Sequence, residues 1–149
     1  MLCKIIGFSS AKTPIDMQLD ALEEQINLLG YRPRHIEYPK TEAERKENAS
    51  GIFMSSLNSG NTKLKDYQRQ RYEKMLDGVP EYREWETNTH LYALAKQINL
   101  LGYRPRHIEY PKTEAERKEK ASCMFMDSVE RGYTKLKDYQ WRIYKQILA

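Results

Sequence analysis

The stretch QINLLGYRPRHIEYPKTEAERKE fills residues 25–47 and returns without a change at residues 97–119, a spacing of 72. Aligned at that spacing without gaps, residues 19–76 run beside 91–148, and the match weakens outside the identical block. A long identity at one fixed period marks a repeat architecture. The sequence therefore predicts an all-α fold, a tandem duplication of a three-helix module joined by a short linker.

Upstream of the connector, Leu19, Leu22, Ile26 and Leu29 fall at spacings of three and four, the stripe of a helix with one buried face. Leu91, Leu94, Ile98 and Leu101 repeat that stripe. Thr13 and Pro14 precede the first helix, and Gly30 and Gly102 close the two stripes as left-handed caps. Pro33 and Pro39 hold residues 31–40 extended, because proline biases the residue before it away from helix. Thr41 with Glu44 three residues on is a capping box, and Glu42 suits the positive first turn of a second helix.

That second helix should run to about Leu57 and bury Ala43, Ser50, Phe53 and Leu57, with Ala115, Ser122, Phe125 and Val129 in the other copy. Gly60 and Gly132 signal its ends. Thr62 and Thr134 read as N-caps of a third helix carrying Leu64, Tyr67 and Met75, or Leu136, Tyr139, Ile143 and Ile147. Arg71 stands where Ile143 stands, which predicts a flank exposed in the first copy and buried in the second, or an arginine with its stem packed at an interface. The organisation expected is an unassigned segment at 1–14, a first module at 15–77, a linker at 78–87 that holds Trp85, and a second module at 88–149. The opening LCKIIGF has strand-like content but is too short to assign.

Composition places limits on function. With 40% hydrophobic and 31% charged residues among 149, the chain reads as soluble and globular. No apolar run approaches a bilayer span, and the start lacks a basic and then apolar leader, so a cytoplasmic protein with no membrane partner is expected. Each unit is small enough that packing between copies should matter. Cys3 and Cys123 are not equivalent in the repeat, which speaks for thiols rather than a disulfide framework. The net charge of +4 permits nucleic-acid binding without requiring it. Residues 1–101 hold 14 basic and 14 acidic side chains, and residues 102–149 hold 11 and 7, so the excess lies in the second copy.

Catalysis has little support, and no enzyme, cofactor or metal site is expected. His35 and His107 are one position seen twice, His90 is the only other imidazole, and no zinc spacing, nucleophile elbow or phosphate loop occurs. Glu42, Glu44 and Glu47 read as helix-start residues on a solvated face. The connector is the better candidate. Arg32, Arg34, His35 and Lys40 sit among Tyr31 and Tyr38, a mixture that can hold phosphate and stack on bases, and Arg104, Arg106, His107, Tyr110 and Lys112 repeat it. The competing reading is a packed strap whose arginines pair with glutamates. Lys63, Lys65, Lys135 and Lys137, beside Gln68 and Gln140, would give the third helix a basic outer face suited to a groove, or merely a solvated one.

A helix, then Gly-x-Arg-Pro in an extended connector, an acidic helix start and a closing helix led by leucine resemble the helicase-associated type of three-helix repeat in bacterial and phage proteins. Gly30, Arg32, Pro33, Glu44 and Leu64 carry the likeness, with Gly102, Arg104, Pro105, Glu116 and Leu136 in the second copy. The resemblance implies a small nucleic-acid-binding module. Two functions follow from the sequence: nucleic-acid binding, DNA or RNA undecided, through the connectors and third-helix lysines; or a protein-interaction or inhibitor module, of phage origin, that grips a host protein. Near-equal charge in the first copy favours the latter.

Overall fold

The computed structural model describes residues 12–149; the LCKIIGF segment lies outside them. The chain divides into two compact units, Met1–Tyr82 and Arg83–Ala149. The first contains α1 (Pro14–Leu29), α2 (Glu42–Asn58) and α3 (Asp66–Leu76). The others are α4 (Tyr82–Leu101), whose first residue belongs to the first unit, α5 (Glu114–Glu130) and α6 (Asp138–Leu148). Among the described residues there is no strand.

Local chemistry explains the helix ends. Thr13 Oγ1 accepts the Asp16 N–H at 3.1 Å while the Asp16 carboxylate accepts the Thr13 N–H at 3.2 Å. Thr41 with Glu44 and Thr113 with Glu116 close the same box on α2 and α5, satisfying amides that a helix start leaves without partners. Gly30 stops α1 in the left-handed region at φ 81°, its N–H returning to the Ile26 carbonyl at 2.9 Å. Thr62 and Thr134 are not the caps of α3 and α6. Their N–H groups bond the Ser56 and Ser128 carbonyls at 3.1 and 3.0 Å, which ties each turn back onto the helix it leaves. α3 and α6 start later, after Lys65 and Lys137, whose N–H groups donate to Gln68 Oε1 and Gln140 Oε1 at 2.9 and 2.8 Å.

The core of the first unit gathers Leu19, Leu22, Ile26, Phe53, Met54, Tyr72 and Leu76. That of the second gathers Leu91, Leu94, Phe125, Met126, Val129 and Tyr144. Ala43 and Ala115, expected inside, are exposed; along that face of each helix, burial begins one turn later, at Glu47 and Glu119. The expected linker is also shorter. Pro80 restrains Val79, Gly78 turns with φ 74°, and helix resumes at Tyr82, so Trp85 is helical.

Arg71 and Ile143 differ in another way than a buried flank. Ile143 is 40% exposed. Arg71 bridges α3 to α1 by pairing with Asp20 at 2.7 Å and Glu23 at 2.8 Å. The positions 72 residues on from those acids are Tyr92 and Ala95, so an arginine there would have no such charges to meet.

Candidate binding surface: the repeated connector

A buried carboxylate anchors the connector in each unit. Glu47 accepts the Tyr31 hydroxyl at 3.1 Å, the Arg34 N–H at 3.3 Å and the Arg34 Nε at 3.0 Å. Glu119 accepts the Arg106 N–H at 2.9 Å and its Nε at 3.0 Å. Both glutamates are buried, against the expectation of a solvated helix-start face. A buried acid stays charged only when paired and hydrogen-bonded, and the connector supplies those donors. Burial opposes the Arg34 charge, yet the Glu47 hydrogen bond and charge prevail and raise its pKa. The Arg106 hydrogen bond holds the Glu119 carboxyl below the usual range, against the opposing effect of burial.

In the first unit the connector also holds the chain that follows α3. Arg32 donates through Nε to the Val79 carbonyl at 2.9 Å, through Nη2 to the Leu76 carbonyl at 3.2 Å, and through its N–H to the Pro80 carbonyl at 2.8 Å. The Arg34 guanidinium lies 3.8 Å from the Tyr82 ring centre, and the Tyr31 ring meets Tyr82 edge-on at 5.0 Å. Tyr31 is accordingly only 6% exposed. From the other side, Gly51 lets α2 approach so closely that a Cβ there would stand 2.5 Å from the Arg34 carbonyl carbon. Asn48 Oδ1 takes the Ile36 N–H at 2.9 Å.

The identical sequence is seated differently in the second unit. Lys120 and Cys123 replace Asn48 and Gly51, so both the amide bond and the bare backbone contact lose their partners. Glu130 replaces Asn58, and Arg104 pairs with it instead of with carbonyls. Tyr103 is 45% exposed, with the Arg106 guanidinium 5.3 Å from its ring centre. Cys123 is half-buried and free, its thiol pKa pushed up chiefly by burial.

The remaining predicted residues lie on the surface. His35, Lys40, Lys63 and Lys65 are exposed, as are His107, Lys112, Lys135 and Lys137. Tyr38 and Tyr110 are each 77% exposed. Lys137 pairs with Glu84 at 2.7 Å. Gln68 and Gln140 are not on an outer face with the lysines; both are buried, where their amides donate to Asp16 and Asn88. An open groove of about 260 Å³ between α1 and α2 is lined by Gln25, Ser50, Phe53 and their neighbours. No cluster of three metal-ligating side chains occurs among the described residues, and none of their helices is long and apolar enough to cross a membrane.

Glu47, Glu119 and Tyr82 are the site residues that sequence reasoning missed. Glu47 had a signal: with Ser50 and Met54 it falls at helical spacing on the buried face of α2. Tyr82 had none, since its role depends on where the chain after α3 returns. Family models, curated proteins and solved structures yield no match to this chain.

Proposed function

We propose that the chain is a non-enzymatic protein-interaction module, built as a tandem duplication of one three-helix unit. The duplication is supported by α2 and α5, and by α3 and α6, starting and ending at positions 72 apart. The observation that carries the interaction reading is the engagement of all four connector arginines within their own units, by Glu47, Glu119 and Glu130 or by backbone carbonyls. A guanidinium already bonded to a carboxylate must give up that bond to hold a phosphate. Large apolar side chains meanwhile stand exposed at matching positions: Leu28 and Leu100 at 73% and 75%, Tyr38 and Tyr110 at 77%, Ile52 and Met124 at 51% and 55%. Such residues, twice over, suit a partner protein gripped by two linked sites, whose avidity exceeds that of either alone.

The test is affinity capture from nuclease-treated host lysate, with Leu28→Ser and Leu100→Ser variants in parallel. Partners should persist after digestion and weaken in each variant, most in the double one. Loss of every partner on nuclease treatment would overturn the reading.

A second reading, nucleic-acid binding, is favoured by the exposed Lys40, Lys63, Lys65, Lys112 and Lys135 with Tyr38 and Tyr110, and by the likeness to helicase-associated repeats. It would place phosphate contacts on lysines rather than on the connector arginines. Binding that falls steeply with salt would support it.

A further inference from the structure

In the first unit, the surface formed by Tyr31, Arg32 and Arg34 is covered by the segment that follows α3, Val79-Pro80-Glu81, and by Tyr82 at the start of α4. Three carbonyls, those of Leu76, Val79 and Pro80, accept from Arg32, and Tyr82 lies against Arg34 and Tyr31. The second unit carries the same surface residue for residue, as Tyr103, Arg104 and Arg106. Tyr103 is 45% exposed, against 6% for Tyr31.

We propose that the Tyr103–Arg106 connector is a docking site for an extended peptide of the type Val-Pro-Glu-Tyr, in which carbonyls flanking the proline meet Arg104 and an aromatic ring two residues later lies on Arg106. The occupant's chemistry is fixed by what covers the identical residues in the first unit. Proline holds the ligand extended, leaving its carbonyls free to accept, and lowers the entropy lost on docking. The ring offers its face to a guanidinium that Glu119 already orients at 3.0 Å. Glu130 restrains the site. It pairs with Arg104, whereas Asn58 at the matching place carries no charge and leaves Arg32 to the carbonyls. Binding a peptide requires Arg104 to exchange that carboxylate for neutral acceptors, so Glu130 sets the affinity. The inference rests on the protein-interaction reading but uses a different surface from the exposed leucines that test that reading.

The experiment titrates the 149-residue chain with the synthetic peptide Asp-Gly-Val-Pro-Glu-Tyr and follows backbone amide shifts by NMR. Saturable shifts are expected at residues 103, 104 and 106 and not at 31, 32 and 34, where the chain's own segment sits, with one equivalent bound per chain. Glu130→Asn should tighten binding about threefold or more, and Tyr103→Ala or replacement of the peptide tyrosine by alanine should weaken it about fivefold. Tyr103 is exposed, so its variant keeps the fold, which unchanged shifts elsewhere in the spectrum verify. Absence of saturable shifts in both the wild type and Glu130→Asn, or binding indifferent to Tyr103→Ala, overturns the proposal. Failure here while lysate partners still respond to the leucine variants would leave the broader reading standing.

Discussion

Arg34 Nε lies 3.0 Å from Glu47 Oε2, and Arg106 Nε lies 3.0 Å from Glu119 Oε2, so one ion pair is built twice by two identical stretches of chain. In each pair the glutamate is buried and the arginine reaches water. The asymmetry decides what each partner contributes. Removing the exposed cation lets solvent replace it, whereas removing the buried acid leaves several connector donors without an acceptor.

Glu47→Ala should therefore destabilise the protein by about 2–3 kcal/mol, and Arg34→Ala by about 1 kcal/mol. Chemical denaturation of both variants and of the double variant checks this, since the double-mutant cycle isolates the pair. Equal costs for the two single variants would show that Glu47 does no more than meet Arg34.

Gly51→Ala should cost about 1–3 kcal/mol, because the new Cβ would stand 2.5 Å from the Arg34 carbonyl carbon and 2.6 Å from its oxygen, both backbone atoms that side-chain rotation cannot relieve. The matching Cys123→Ala should change stability little, as that position already tolerates a Cβ. Thermal unfolding of the two variants makes the comparison.

Acid sensitivity should differ between the units at positions 16 and 88. Hydrogen bonds from the Gln68 amide and then the Thr13 backbone lower the Asp16 pKa from 3.8 to about 2, while position 88 carries an asparagine. A folded pKa below the unfolded one contributes stability in full above 3.8, and that contribution is lost as pH falls through about 2. Asp16→Asn should flatten the stability decline across that window. A decline unchanged by the substitution would assign acid unfolding to other carboxylates.

The alkaline limb has its own marker in the second unit. Burial, then the Glu130 hydrogen bond, raise the Tyr144 pKa from 10.0 to about 12. The folded state resists that ionisation, so the contribution holds below 10.0 and is lost as pH rises through about 12. Glu130→Gln should bring the ionisation of this tyrosine down toward 10.0, read by absorbance of phenolate.

Helix boundaries were the most legible part of the sequence. Proline, glycine and threonine act within a few residues of themselves, so Pro14, Gly30 and Thr41 mark α1 and α2 where the structure has them. Thr62 misled because its hydroxyl and N–H turn back to Ser56 rather than forward, a choice set by the loop. The connector's chemistry was half legible. Its arginines were seen as either phosphate ligands or partners of glutamates, but local pattern does not say which carboxylate lies beneath them. Glu47 and Glu119 belong to the same repeated stretch as the arginines, yet meet them only once the helices pack. The difference between the units was not legible in the repeated block at all, because it is written outside it, at Asn48, Gly51 and Asn58 and in the segment up to Tyr82.

The central proposal is that the repeated arginines, bonded within their own units, are not nucleic-acid ligands. Its most direct test measures binding of the full chain to single-stranded and duplex DNA and to RNA across a salt series, beside Arg104→Ala and Arg106→Ala. The result expected is no saturable affinity attributable to either arginine, with any residual binding unchanged in both variants. Tight binding with a steep salt slope that flattens by about one unit when Arg104 or Arg106 is removed would contradict it.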